Sequence, residues 1–312
     1  IISHRNPDGD AIGSSMGLYW FLKKKGHELQ VIFPSDYPSF VAWIPDSEKC
    51  LIYDIEPQTC DKVIEQANAI FCLDFNGLDR IDPFGKKVDE AKGAKIMIDH
   101  HLYPEGFCEL MISDTAASST CELVYELIKD GGYARDLDPR IADCLLTGLI
   151  TDTGSFRYAT SSRTLQCAAA LHAAGANNEF IQEELRASHE KVLRLLGHCL
   201  YNRMEVDENL QTAFIWLTKQ DFEDFNIQRG DTEGIVNQML KMKKVKVAVF
   251  IKEQPTIIKL SLRSKGDFSV QKIMTKHFNG GGHKNASGGY FYGTINTCIN
   301  KMKKAIREQQ EG

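Results

Sequence analysis

Short apolar runs of strand length repeatedly stop, along this chain, at residues able to bind a hard cation. Ala69 to Leu73 runs into Asp74, Ala94 to Ile98 into Asp99-His100-His101, and the opening residues into His4-Arg5-Asn6-Pro7-Asp8-Gly9-Asp10. Asp152 opens the turn Thr151-Asp152-Thr153-Gly154 after the apolar helix pattern of Pro139 to Ile150. One acid at a strand end is ordinary. Several segments that end this way match a parallel α/β sheet, whose strands deliver the residues that follow them to one carboxyl edge.

The first half alternates strand and helix signals. Ala11 to Lys25 carries Ile12, Met16, Tyr19 and Leu22 or Phe21 at helical spacing and stops at Gly26, while Leu29 to Phe33 is another strand-length run. Ser119 and Glu122 have capping-box spacing ahead of Leu123, Val124, Leu127 and Ile128, and Gly131-Gly132 ends that helix. Arg163 to Ala174 reads as a further helix. The segments between strands are long enough for crossovers, so the sheet is predicted to be parallel.

From Glu179 to about Glu205 the pattern is helical and charged, with Leu185, Val192, Leu195 and Leu196 apolar, and it reads as a connector. Strands are then predicted at Leu210 to Leu217, Lys246 to Ile251 and Thr256 to Leu262, with helices at Thr232 to Met242, Val270 to Phe278 and Thr294 to Ile306. Gly280 to Gly289 is a glycine-rich stretch between the last two helices. At roughly 150 residues per domain, 312 residues suit two. The expected division is a parallel-sheet domain over 1–190, a helical linker over 191–207 and a smaller α/β domain over 208–312.

No apolar stretch approaches the ~20 residues of a membrane span, and no secretory signal is visible, so a soluble, cytoplasmic protein is expected. The nine cysteines form no Cys-x-x-Cys pair, which fits buried thiols in a reducing compartment. A net charge of -5 argues against binding long duplex nucleic acid, while small anionic substrates stay open because a bound cation can dominate its own site.

Carboxylates and imidazoles without thiolates suit Mn, Mg, Fe or Zn. Two such ions roughly 3.5 to 4 Å apart clamp phosphate oxygens and activate water for in-line displacement, so phosphoester hydrolysis is the chemistry this donor set suggests. Taken singly, Asp8 and Asp10 read as a turn and a helix N-cap, and His4 and His100 as core histidines. The coincidence of all the clusters in one chain is what favours metal.

With these motifs in view the chain resembles the DHH phosphoesterases, and within them the NrnA-like group of nano-RNases and 3′-phosphoadenosine-5′-phosphate phosphatases. The resemblance runs through His4 to Asp10, Leu73-Asp74, Asp99-His100-His101 and Thr151 to Gly154, in that order, and on to the glycine-rich segment with Gly282-His283 and Ala286-Ser287-Gly288. It implies an N-terminal DHH catalytic domain and a C-terminal DHH-associated substrate domain. It further implies two Mn2+ ions, with Mg2+ or Fe2+ as substitutes. His4, Asp8 and Asp74 would bind one ion, and Asp10, Asp74, His100 and Asp152 the other. His101 would contact the phosphate or help the leaving oxygen, and Asp99 would orient an imidazole by accepting its ring N–H.

On the substrate side the resemblance makes Arg263 and His283 ligands for a nucleotide or its 5′ phosphate, with Ser264, Ser287 and the backbone of Gly281 and Gly282 as helpers. Arg157, in Phe156-Arg157-Tyr158, is a further candidate to face phosphate. A catalytic domain facing a phosphate-recognition domain across a cleft would select short substrates. The expected activity is therefore a hydrolase, an exonuclease acting on short RNA or small nucleotides, including adenosine 3′,5′-bisphosphate, to give nucleoside monophosphates; a homodimer is left open. Cyclic or linear dinucleotides are the nearest rival substrates, and a non-catalytic nucleotide sensor is the rival of a different class. A dehydrogenase is set aside because no Gly-x-Gly-x-x-Gly turn follows the first strand.

Overall fold

The apolar runs of the first half pair in parallel, as the crossover lengths require. In the computed structural model, which describes residues 1–186, 190–228 and 230–311, the strands are β1 (Ile2–Ser3), β2 (Ile32–Phe33), β3 (Leu51–Ile52), β4 (Ala69–Leu73), β5 (Ala94–Asp99) and β6 (Leu110–Ser113). They lie in the order β3-β2-β1-β4-β5-β6, every pairing parallel. The order reverses direction at β1 and β4, which opens a crevice beyond their carboxyl ends. The helices are α1 (Gly9–Lys24), α2 (Pro57–Gln66), α3 (Gly85–Glu90), α4 (Thr120–Asp130), α5 (Pro139–Asp152), α6 (Ser162–Ala173) and α7 (Asn178–Arg186). Local chemistry starts several of them. Asp8 caps α1, Ser119 caps α4, and Asp138 with Pro139 opens α5.

The core of this unit has α1, α4 and α5 side chains such as Leu18, Val124, Leu145 and Leu149 packed on Leu73 and Ile98 of the sheet. Burying each such side chain contributes roughly 1.5 to 3 kcal/mol, which is what holds short strands like β1 in register.

The second unit contains α8 (Glu190–Asn202), β7 (Met204–Asp207), β8 (Thr212–Leu217), α9 (Lys219–Asp224), α10 (Ile235–Met239), β9 (Val247–Glu253), β10 (Ile258–Ser264), α11 (Val270–His277), β11 (Gly281–His283), β12 (Ala286–Phe291) and α12 (Ile295–Glu311). Its sheet is mixed, ordered β11-β12-β10-β9-β8-β7, with β8 and β9 parallel and the other pairs antiparallel. The glycine-rich stretch is a hairpin of two strands rather than a loop. Gly280 lies so close to the Gly288 carbonyl that no Cβ would fit.

The chain divides into units Ile1–Ala187 and Ser188–Gly312. The expected linker over 191–207 is therefore corrected: Leu195 and Cys199 of α8 are core residues of the second unit, and β7 pairs with β8. The apolar stripe read as an amphipathic connector is the face that α8 buries against the sheet. Residues 187–189, within the expected continuous helix Glu179 to Glu205, lie outside the described residues. Among the described residues no helix is long and apolar enough to cross a membrane.

Candidate metal centre

Asp74 follows β4 directly, with its backbone N–H bound to the Ile98 carbonyl at 3.0 Å and its φ at +64°. A left-handed conformation is uncommon for a residue with a Cβ and is kept where the surroundings over-determine it. The turn lifts the Asp74 carboxylate over the end of the sheet, where it is 2 % exposed. Its Oδ2 lies 3.4 Å from His4 Nε2, and its Oδ1 lies 3.5 Å from His100 Nε2.

His4 leaves β1 and donates its Nδ1–H to the Arg5 carbonyl at 3.0 Å, since a carbonyl can only accept. That bond fixes the tautomer and turns Nε2 toward Asp74 and toward Asp8 Oδ1, at 3.8 Å. Asp8 also caps α1, accepting from Asp10 and Ala11 N–H at 3.1 Å each, so the N-cap reading and the cluster reading describe one residue. His100 Nε2 lies 3.2 Å from Asp152 Oδ2 and 3.8 Å from Asp10 Oδ2. Thus His4, Asp8 and Asp74 form one group with donor atoms within 4.8 Å of one another, and Asp10, Asp74 and His100 form a second. Asp152 joins the second through His100. Asp74 belongs to both.

Asp99, fully buried, accepts from His101 Nδ1 at 2.8 Å and from the His101 backbone N–H at 3.1 Å. The carboxylate thus orients His101 rather than His100. Arg157 is exposed on the turn after α5 and makes no ion pair with the cluster among the described residues.

The electrostatics describe a pocket short of positive charge. Burial, reinforced by Asp74 and Asp152, pushes the Asp10 carboxyl well above its ordinary value, and burial lifts Asp152 to about 6. Burial also opposes charge on His4 and His100, but the carboxylates outweigh it and hold His4 at about 9 and His100 well above the usual imidazole value. Asp74, pressed upward by burial, is drawn well below its ordinary value by His100 and His4. Two divalent cations would balance the four carboxylates of Asp8, Asp10, Asp74 and Asp152 while leaving both imidazoles neutral, so the donor set fits a metal pair.

Several contributors are invisible in the sequence. Asp10, fully buried in the first turn of α1, accepts from the backbone N–H of Thr120 at 2.6 Å and of Cys121 at 2.9 Å. The Thr120 hydroxyl donates to Asp74 Oδ1 at 3.0 Å. Gly9 and Gly148 let α1 and α5 approach closely enough to bring Asp10 and Asp152 together: a Cβ on Gly9 would strike the Thr151 side chain, and one on Gly148 would lie 2.7 Å from Asp10 Oδ1. The Gly in Asp8-Gly9-Asp10 is a local signal. Thr120 and Gly148 have none, because the carboxylates they face, Asp74 and Asp10, lie dozens of residues away in the chain.

In the second unit, sheet register puts Arg263, Ala286 and His283 in one row, side chains on the same face. Ser264 and Ser287, expected as helpers of a ligand, face inward. Both are buried, Ser264 donating to the Phe268 carbonyl at 2.6 Å and Ser287 to the His283 carbonyl at 2.8 Å, so their hydroxyls tie the hairpin and its neighbouring turn. Gly281 is open to solvent, and Gly282 has φ +131°, which favours glycine.

A parallel sheet with acids and imidazoles at its switch point, followed by a mixed-sheet unit, is a DHH-type arrangement, and residues 1–149 match the DHH family, N-terminal domain, while residues 207–311 match the DHHA1 domain. The chain belongs to the DHH phosphoesterase family. It is 30 % identical over 315 residues to the bifunctional oligoribonuclease and PAP phosphatase NrnA of Thermus thermophilus, covering 99 % of this chain and 89 % of that protein. The NrnA of Bacillus subtilis is 29 % identical over 299 residues, covering 94 % and 89 %. The crystal structure of an exopolyphosphatase-related protein from Bacteroides fragilis matches with a TM-score of 0.95 at 43 % identity, over 98 % of this chain and 91 % of that one.

Proposed function

We propose that this chain is a Mn2+-dependent phosphoesterase that hydrolyses short oligoribonucleotides and 3′-phosphorylated nucleotides such as adenosine 3′,5′-bisphosphate to nucleoside monophosphates. The observation that carries this reading is the pair of donor groups sharing Asp74 at the carboxyl edge of a parallel sheet. His4, Asp8 and Asp74 are the residues to hold one ion, and Asp10, Asp74, His100 and Asp152 the other. A bound divalent pair supplies neutralisation of phosphoryl oxygens and acidification of water.

The chain's own groups do the rest. Asp99 holds His101 by Nδ1–H, which turns Nε2 outward from that bond to meet a phosphate oxygen or to pass a proton to the leaving oxygen. Arg263 grips a terminal phosphate with its fork of N–H donors, and His283, in the same sheet row, adds a second donor. The backbone of Gly281 and Gly282 leaves the hairpin open to a nucleotide. Carboxylates and imidazoles without thiolates suit Mn2+, with Mg2+ or Fe2+ as substitutes.

The test is a substrate panel with Mn2+: RNAs of two to twenty-four nucleotides, adenosine 3′,5′-bisphosphate and cyclic dinucleotides. Short RNAs and the bisphosphate are expected to turn over fastest. Uniform rates across RNA length refute the short-substrate reading, preference for cyclic dinucleotides replaces it, and binding without turnover marks a sensor.

A further inference from the structure

The first turn of α4 places three of its N–H donors in an unusual way. The N–H groups at the start of a helix have no partner within it and usually go to a cap or to water. Here the Glu122 N–H goes to Ser119 Oγ, the cap, at 3.1 Å, while those of Thr120 and Cys121 both go to the carboxylate of Asp10, from a different helix. The Thr120 side chain then reaches a second carboxylate, Asp74 Oδ1. Thr120 is fully buried, which shields that hydroxyl from bulk solvent. One residue therefore donates twice, from backbone and side chain, to two members of the proposed metal cluster.

We infer that Thr120 is a positioning residue of the metal centre, setting the rotation of the shared Asp74 carboxylate so that one oxygen faces each donor group. An aspartate carboxylate turns easily about its last bond, whose profile is broad and two-fold. Asp74 must nevertheless keep Oδ2 toward His4 and Oδ1 toward His100. A hydroxyl 3.0 Å from Oδ1 restrains that turn, and the same residue's N–H restrains Asp10. The frame that holds Thr120 is itself anchored. Glu122 accepts from Ser118 N–H at 3.0 Å, from the Ser118 hydroxyl and from Thr164 Oγ1 at 3.0 Å, and lies 3.3 Å from Arg163 Nε. This inference rests on the metal-pair reading above.

The test compares Thr120→Val, which removes the donor at nearly constant shape, with Thr120→Ser, which keeps it. Thr120→Ala provides the donor-free member if the valine variant does not fold. Mn2+ binding is read by titration calorimetry on the full chain, with melting of the metal-free protein measured in parallel. Loss of an outer partner of a ligand typically weakens metal binding about 10- to 100-fold. That loss is expected for Val or Ala at one or both ions, with Ser restoring affinity to within about threefold of wild type. Donor-free variants that bind Mn2+ as tightly as wild type, or tighter, overturn the inference, as does a serine variant that loses as much as valine. A wild-type chain that takes up no Mn2+ overturns the metal-pair reading and this inference with it.

Discussion

Gly148→Ala separates two opposed effects that the structure assigns to one methyl group. By helix propensity alone, alanine in the middle of α5 stabilises by about 0.8 to 1.0 kcal/mol. In this helix, however, the new Cβ would collide with Cys121 Sγ and stand 2.7 Å from Asp10 Oδ1 and 2.9 Å from Asp10 Cα. Neither neighbour is the free end of a flexible chain. Cys121 and Asp10 are both fully buried, and Asp10 is held by two N–H groups of α4. Overpacking of this kind costs about 1 to 3 kcal/mol, and contact with backbone and a pinned carboxylate argues for the upper half of that range. The net is a destabilisation of about 1 to 2 kcal/mol, or a fall of about 2 to 8 °C in the melting temperature of a unit this size. Differential scanning calorimetry of the metal-free chain reads it directly, and Mn2+ titration of the same variant is expected to show weakened binding because Asp10 must move. A melting temperature that is unchanged or raised would show that α1, α4 and α5 are not packed through this glycine.

Asp74→Asn keeps a residue that tolerates a left-handed backbone while removing the shared charge. Mn2+ affinity and turnover of short RNA are expected to fall by at least about 100-fold, the upper end of what losing an outer partner costs, and retention of both would dismiss Asp74 as the common ligand. In the second unit, burial pushes the Asp221 carboxyl up, but Arg203 at 2.8 Å and the Thr218 donors more than offset it and hold the carboxyl below its ordinary value. Its stabilising contribution is therefore complete above the unfolded value of about 4 and is lost as pH falls through the folded value. Urea denaturation from pH 6 down to pH 3 is expected to show a shallower acid loss in Asp221→Asn than in the wild type, and equal slopes would count against the assignment.

The candidate ligands were legible because each sits where a local rule ends an element. Apolar runs of strand length stop at Asp74 and at Asp99-His100-His101, and a loop with Pro7 and Gly9 opens a helix at Asp8 and Asp10. The expected parallel sheet with a second α/β unit is what the chain forms. Strand edges and the second boundary were less legible. Leu51–Ile52 is too short to show a period, and the apolar stripe of α8 looks the same whether it spans two domains or packs on one sheet.

Ser264 and Ser287 show a related limit. Ser264 follows Arg263, and Ser287 follows Ala286, which pairs with Arg263; alternation along each strand sends both serines to the opposite, buried face, a register absent from the local pattern.

Candidate donors and the kind of fold that could gather them are readable from neighbours in the chain, since element periodicity and strand-end chemistry are local properties. That Thr120 and Cys121 grip Asp10, that Thr120 meets Asp74, and that Gly148 leaves room for both emerges from the packing of distant segments. Those contacts join residues dozens of positions apart, and their geometry is set by how closely α1, α4 and α5 pack, which no short window of sequence encodes.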